Sequence, residues 1–390
     1  MVTVTSLKLG NFRNYAELSL EAEAGPVVLV GANGAGKTNI MEAISLLAPG
    51  RGLRRAKTNL LAHQPNAGAK ASPASPASPV WSVAANIMTE DGPIRCGTGT
   101  VLQDTGDVGR RVVKLNGDYS SQNALAEHFA VSWMTPDMDD VLASAPSERR
   151  RFLDRLVIAF DPAHAGRLQR YEKLYRQRNK LLEETHQDAA WYDALEAQMA
   201  ESGMAVIAAR QALVDALDRE AAEPMPMFPS AQLFLEGDAE EWLRTMPSVE
   251  VEDRVRAVAK ANRLAGNSNM PGPMNSILNV VHSATGKSAE LSSTGEQKAL
   301  VISIILAHAR LQSARLMRPP ILLLDDIASH LDLPRRQALF ELTAQLTGQV
   351  WFSGTDLSSF SAMTVAPNVI EIEAGHIAQK NFGLSAVRRS

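Results

Sequence analysis

Eight residues near the N-terminus, Gly31-Ala32-Asn33-Gly34-Ala35-Gly36-Lys37-Thr38, have the types and spacing to hold a polyphosphate. They fit G-x-x-x-x-G-K-[ST], in which glycines let the backbone wrap phosphates with its N–H groups. In that chemistry Lys37 reaches the β- and γ-phosphates and the Thr38 hydroxyl takes Mg²⁺. The pattern carries weight only where a strand feeds the loop and a helix leaves it. Val27–Val30 reads as that strand, and Gly36–Leu47 as an amphipathic helix ended by Pro49-Gly50. The helix N-terminus adds partial positive charge beside the phosphates. ATP is the expected ligand.

Such a loop needs carboxylates opposite it. Ile321-Leu322-Leu323-Leu324-Asp325-Asp326 supplies two. Four apolar residues suit a strand buried on both faces of a parallel sheet. The acids then fall at its C-terminal end, where such sheets bind ligands. Asp325 is expected to hold Mg²⁺, directly or through water. Asp326 is expected to polarise the attacking water, so that Asp326 and Lys37 are the candidate catalytic pair. A third element, Leu291-Ser292-Ser293-Thr294-Gly295-Glu296, opens a long apolar helix over Ala299–Leu311. Ser293 and Glu296 have capping-box spacing, so the turn is either a well-capped helix start or an anion site aimed at a γ-phosphate.

The elements that must position these groups lie at the two ends of the chain. Val2–Leu9 and Leu18–Leu20 read as strands before the loop. Gln349–Phe352 reads as a buried strand after the acid pair. Val80–Asn116 alternates as an antiparallel sheet does, and the Pro/Ser/Ala-rich stretch 67–79 is expected to be a disordered loop. The middle reads as helical. Asp161-Pro162 offers an N-cap and an N1 proline. In the helix that follows, Leu168, Tyr171, Leu174, Tyr175, Leu181 and Leu182 share one face, and Lys173, Arg176 and Lys180 lie opposite with Arg170 beside them. Trp191–Arg219 reads as a second long helix, and the two could pair as an antiparallel hairpin.

Charge is unevenly spread. The net charge is only −4, yet Arg149–Lys180 holds ten Lys/Arg against three Asp/Glu, while Glu183–Asp253 holds three Arg against seventeen Asp/Glu. A regular row of long cations (Arg170, Lys173, Arg176, Lys180) suits phosphate contact without base readout, which favours duplex DNA. The other reading is a solvated face paired with the acidic segment. Arg149-Arg150-Arg151 and Arg51–Lys57 are further candidates, and Arg54 or Arg55 could instead meet the nucleotide. At 390 residues the chain is expected to form two or three folding units, and 45% apolar residues suffice for a substantial core. No run of 18 apolar residues suggests a membrane span, and the start lacks the pattern of a secretory signal. The single cysteine, Cys96, cannot form an internal disulfide. A cytoplasmic location is the expectation.

Together the three motifs resemble the ABC-type ATPase fold, in which Ser-Thr-Gly-Glu matches the signature that completes a nucleotide site in trans. More narrowly, the chain resembles the RecF family of bacterial DNA replication and repair proteins. That likeness runs through Leu9–Tyr15 (LGNFRNY), Gly31–Asn39, Glu42-Ala43-Ile44, Arg51–Arg54, Pro146–Asp154 (PSERRRFLD), Tyr175–Leu182 and Leu322–Arg336 (LLLDDIASHLDLPRR). It implies an α/β fold: an ABC-type P-loop ATPase head with an inserted α-helical arm. Residues 1–130 and 318–390 would form the ATPase lobe with P-loop and Walker B, and 131–317 the helical arm and signature lobe.

The resemblance also implies an ATP-dependent homodimer around two ATP molecules, each subunit donating Ser293 and Gly295 to its partner's P-loop. Asp332 would match the loop lying across that interface, and Ser353 or Thr355 the position that senses the γ-phosphate. It further implies binding of double-stranded DNA at gapped junctions, action with RecR and RecO to load the recombinase RecA, and slow, DNA-stimulated hydrolysis that works as a switch. The chain departs from the family pattern in places. Gly272-Pro273-Met274-Asn275 stands where Gly-Pro-His-Arg is usual, Glu296 where the signature has Gln, and Pro224–Asn269 matches nothing assignable. Two other homes for these motifs fit less well. A membrane transporter's ATPase subunit keeps P-loop and signature much closer than the 256 residues between Lys37 and Ser293. A structural SMC-like head would carry a far longer coiled coil.

Overall fold

The computed structural model describes residues 1–63, 79–101, 109–183, 188–317 and 319–381. Of the 67–79 segment, only Pro79 lies within the described residues. The chain divides into two units: Met1–Met138 with Pro226–Phe228 and Ile305–Ser390, and Asp139–Met225 with Pro229–Ile304. In chain order the first unit begins with β1 (Thr3–Phe12), β2 (Tyr15–Glu21), β3 (Val27–Val30), α1 (Lys37–Ser45), β4 (Pro79–Thr89), β5 (Gly92–Val101), β6 (Val112–Leu115), β7 (Asp118–Ser120), α2 (Gln122–Ala126) and β8 (Val131–Met134). The second unit follows with α3 (Pro146–Ile158), α4 (His164–Glu183), α5 (Ala189–Ala222), β9 (Ala231–Glu236), α6 (Asp238–Leu243), α7 (Ser248–Leu264), β10 (Ile277–His282) and the start of α8 (Thr294–Leu316). The chain then returns to the first unit with β11 (Ile321–Leu324), α9 (Leu333–Ala344), β12 (Val350–Gly354), β13 (Asn368–Glu373) and β14 (His376–Asn381).

Two six-stranded sheets build the first unit. One runs in the order β14-β13-β3-β12-β11-β8, parallel throughout except for β14 on its edge. Every residue of β3, β8, β11 and β12 is buried, as expected of strands covered on both faces, and this is why β3 and β11 read as unbroken apolar runs. Phe340 of α9, Phe352 of β12 and Phe360 pack with ring centroids 5.4–6.1 Å apart on one side. The other sheet, β2-β1-β4-β5-β6-β7, is antiparallel. Leu7, Leu9, Leu18, Leu20, Val83, Ala85 and Ile87 fill its buried face, alternating with polar or small residues on the other. Asn116-Gly117, both at positive φ (52° and 105°), makes the two-residue turn into β7.

In the second unit α4 and α5 pair antiparallel. Tyr171 lies against Gly203, where an added Cβ would come within 2.9 Å of its ring, and one helical stretch further on Arg178 donates to Glu196 at 2.9 Å. The expected apolar face holds: Tyr171, Leu174 and Leu181 join Tyr192, Leu195, Met199 and Val255 in one core. Helix α4 begins at His164, two residues past the expected N1 proline, because the Asp161 carboxylate pairs with Arg167 and its carbonyl takes the His164 N–H. The unmatched segment 224–269 forms β9, α6 and α7, with β9 pairing β10. Helix α8 alone, among the described residues, is long and apolar enough to cross a membrane. Most of it is buried within the protein, as in a core helix.

Candidate nucleotide-binding site

The P-loop leaves the C-terminal end of β3 and turns directly into α1. Two of its three glycines, Gly31 and Gly36, are demanded by their surroundings. A Cβ on Gly31 would collide with the Ile372 carbonyl, and one on Gly36 (φ 119°) with the Tyr15 hydroxyl and with Asn14 Nδ2 at 2.6 Å. The loop is also tied from outside. Gly375 N donates to Ala35 O at 3.1 Å, Asn14 Nδ2 to the same carbonyl at 3.3 Å, and Gly31 N to Gly354 O at 3.3 Å. Lys37 folds back so that its Nζ donates to Gly31 O (2.6 Å) and Ala32 O (2.9 Å). Burial lowers its pKa, opposed by the charges of Asp326 and Asp325.

The sheet order explains how two distant segments meet. Strand β12 lies between β3 and β11, so its last residues bridge the P-loop strand and the acid strand. Ser353 makes that bridge: its Oγ donates to Asp325 Oδ1 at 2.6 Å and accepts the Asp326 N–H at 2.9 Å. Thr38 Oγ1 donates to the same Asp325 oxygen at 3.0 Å. Burial raises the Asp325 pKa, while the hydrogen bonds from Ser353 and Thr38 and the Arg54 charge pull it down. Asp326 adopts φ 53°, a left-handed conformation that costs a non-glycine residue on the order of 1–3 kcal/mol. Of the two residues expected near a γ-phosphate, Ser353 lines the cleft, whereas Thr355 is exposed outside its lining.

These groups enclose a cleft of about 290 Å³ lined by Asn33, Gly34, Lys37, Thr38, Asn39, Arg54, Asp325, Asp326 and Ser353. Arg54 reaches it through Asn39 Oδ1 (2.7 Å) and the buried Glu42 (3.5 Å), whose other partner is a two-pronged Arg13 (2.6 and 2.8 Å). The donor set fits a nucleoside triphosphate with a divalent ion. One end offers backbone N–H groups and a lysine held only by carbonyls of its own loop. The other offers a hydroxyl and a buried carboxylate 3.0 Å apart, the oxygen ligands that Mg²⁺ takes. Thr38 and Asp325 would hold the ion.

The signature residues belong to the second unit. Ser293 makes a full capping box: its backbone N–H and Oγ both donate to Glu296 Oε2 (2.8 and 2.9 Å), and it accepts the Glu296 N–H at 3.4 Å. Glu296, in place of the family's usual Gln, is therefore an acid that caps its own helix. Behind the turn, Gln297 holds Ala289 O and Ser292 O, Lys298 pairs with Asp139 at 2.7 Å, and Glu290 pairs with Arg149. Ser293, Thr294 and Gly295 are all exposed, and a Cβ on Gly295 would meet nothing within 4 Å.

The model for the RecF/RecN/SMC N-terminal domain matches residues 3–375. The DNA replication and repair protein RecF of Mesorhizobium japonicum is 42% identical over 96% of this chain and 97% of its own, and that of Brucella suis biovar 1 is 42% identical over 96% of both. The chain belongs to the RecF family. Its fold agrees: the recombination mediator protein RecF-ATPrS in the RecFOR pathway superposes with a TM-score of 0.81 at 20% identity, over 98% of both chains. The α/β ABC-type ATPase head expected from the motifs is thus the observed fold.

In this RecF-family chain the basic row of α4 is presented to solvent: Arg170, Lys173, Arg176 and Lys180 are all exposed. The acids Asp193 and Glu196 do not serve that row. They pair with Arg178, Lys260 and Arg263 on the buried and opposite sides. Two other expected cations turn inward. Arg149 is buried against Glu290 and Leu278 O, and Arg150 donates to Ser276 O at 3.2 Å, because α3 packs on β10 and uses them to close the strand's carbonyls. Met274, where the family has His, packs against the helical core, and Asn275 bonds Asn269 at 3.2 Å. Sequence reasoning missed Asn14 and Tyr15 as supports of the P-loop. Their proximity arises from pairing across the first unit and leaves no periodic signal.

Proposed function

We propose that this chain is an ATP-dependent DNA clamp of recombinational repair and replication restart. ATP closes two copies face to face, each donating Ser293 and Gly295 to the other's P-loop. The closed dimer holds double-stranded DNA beside single-stranded gaps, and slow, DNA-stimulated hydrolysis releases it. What carries the reading is the cleft joining Lys37, Thr38, Asp325, Asp326 and Ser353, set against a signature turn whose Ser293 and Gly295 are exposed.

In this scheme the N–H groups of Gly31–Thr38 and the Lys37 ammonium hold the phosphates. The amine exchanges its two loop carbonyls for phosphate oxygens. Thr38 and Asp325 would hold Mg²⁺, which would supply neutralisation of phosphate charge. Asp326 orients the attacking water and takes its proton as the water oxygen bonds the γ-phosphorus and the bond from that phosphorus to the β–γ bridging oxygen breaks, releasing ADP. Ser353 keeps both acids in register and sits where a change at the γ-phosphate alters its hydrogen bonds. Arg170, Lys173, Arg176 and Lys180 contact the duplex backbone. The RecFOR pathway of the solved RecF makes RecO and RecR the proposed partners, loading of a recombinase the proposed outcome, and the cytoplasm the proposed location.

The test is sedimentation of the protein with Mg-ATP or a slowly hydrolysed analogue, with and without a gapped duplex. The expected result is a shift from monomer to dimer with nucleotide and DNA in the dimer peak at moderate salt. A nucleotide-bound monomer that ignores DNA would overturn the clamp.

A further inference from the structure

The acid that polarises water must point in one direction, and Asp326 has a neighbour at each of its polar groups. Its N–H goes to Ser353 Oγ (2.9 Å), the single Ser329 hydroxyl proton is shared between its carbonyl and Oδ1 (3.0 and 2.5 Å), and its Oδ2 lies at ion-pair distance, 3.4 Å, from His330 Nε2. Ser329 and His330 come from a single 3-10 turn, Ala328–His330, that follows the acid directly. The left-handed φ of Asp326 makes this possible: it reverses the chain so that the turn folds back onto its own carboxylate. Both acid and imidazole are partly exposed, so the contact is no burial requirement of the core.

We propose that His330 is a positioning residue for the hydrolysis reaction. It holds Asp326 Oδ2 while Ser329 holds Oδ1, and the two together aim the carboxylate into the cleft. The proposal rests on the reading of Asp326 as the group that orients water. The same turn leads through Leu331 to Asp332, which caps α9 by accepting the Arg335 N–H at 3.0 Å, and to the exposed Leu333.

The experiment compares His330→Ala, His330→Asn and Asp326→Asn in full-length protein. It measures steady-state ATP turnover with DNA present, KM, and equilibrium affinity for a fluorescent ATP analogue. For His330→Ala the expected result is a fall in kcat of about tenfold or more, with KM and analogue affinity unchanged within about twofold, the pattern of a group that acts only in the transition state. His330→Asn, which keeps a side-chain N–H donor near the same place, is expected to restore most of the loss. In an Asp326→Asn background, His330→Ala is expected to add nothing. Wild-type kcat in His330→Ala, with Asp326→Asn inactive, would overturn the positioning role and leave the acid's role standing. Wild-type turnover in Asp326→Asn would remove the reading beneath it. A loss in His330→Ala that appears equally in affinity and thermal stability, and that Asn does not rescue, would assign the contact to folding and overturn the proposal as well.

Discussion

Two glycines mark the difference between the two halves of the proposed nucleotide site. Gly36, in the first unit, cannot carry a side chain: it stands at φ 119° against Tyr15 and Asn14. Gly295, in the second, has open space around its Cα and a backbone any residue can adopt. The P-loop is assembled from within its own chain. Gly31 and Gly36 are explained by neighbours, its lysine already holds two loop carbonyls, and its threonine already holds Asp325. The signature turn is held from behind by Gln297, Lys298 and Glu290 and capped by Ser293, while Gly295 has nothing packed against it. Where a fold explains a residue, function is one use of it. Where a fold leaves a residue unexplained, the proposed dimer gives it a use.

The largest effect expected from breaking the first half is at Asp326. Asp326→Asn should lower turnover by about 10²–10⁴-fold, the usual worth of a positioned acid–base group, while ATP still binds and the dimer persists longer than wild type. Single-turnover kinetics with sedimentation checks both arms, and undiminished turnover would remove Asp326 from the chemistry. Lys37→Ala should follow. Removing one side of a desolvated charge contact costs about 2–5 kcal/mol, so ATP affinity should drop by about 30-fold or more and nucleotide-driven dimerisation should vanish. Calorimetric titration reads the first, and normal dimerisation of this variant would refute the role of the P-loop.

The glycine pair sharpens the comparison. Gly36→Ala should weaken the fold itself, lowering the thermal midpoint in the absence of nucleotide, because Tyr15 and Asn14 must move. Gly295→Ala should leave that midpoint unchanged or raise stability by about 0.4–1 kcal/mol, since alanine narrows the unfolded ensemble at a site with room for it. The same variant should bind ATP normally and fail to dimerise, as should Ser293→Arg. Normal dimerisation of both would reduce the turn to the helix cap that its hydrogen bonds already make it.

How much of this could be read beforehand follows the same division. Val27–Val30 and Ile321–Leu324 were legible to the residue, because strands covered on both faces are written as unbroken apolar runs. Thr38 and Asp325 were legible as groups that share one cleft, and the structure puts them 3.0 Å apart, because their motif spacing reflects one local geometry. Ser353 was legible only as one of two choices. Its bridging position depends on β12 lying between β3 and β11, and strand order leaves no mark in a single sequence. The inward turn of Arg149 and Arg150 was hidden for a related reason. A run of arginines looks alike whether it faces water or the carbonyls of a strand 126 residues away. Conversely, the four α4 cations were assigned to one face by helical period alone, and the structure exposes all of them.

That exposed row gives the smallest expected effect and the one that extends the comparison to a third surface. Arg170, Lys173, Arg176 and Lys180 resemble Gly295 in that the core does not use them. Glu196 and Asp193 of α5 pair with Arg178, Lys260 and Arg263. If the row follows a duplex backbone, each cation covering a phosphate releases counterions, and the logarithm of affinity falls with the logarithm of salt by about 0.9 per phosphate. Replacing Arg170 and Lys173 with alanine should therefore flatten the salt dependence of ATP-dependent DNA binding by up to about two contacts' worth. The loss should be equal on unrelated duplex sequences, with ATP affinity and thermal midpoint untouched. Fluorescence anisotropy over a salt series gives the slope directly. An unchanged slope in this variant would show the row to be a solvated face and move the DNA contact elsewhere on the dimer.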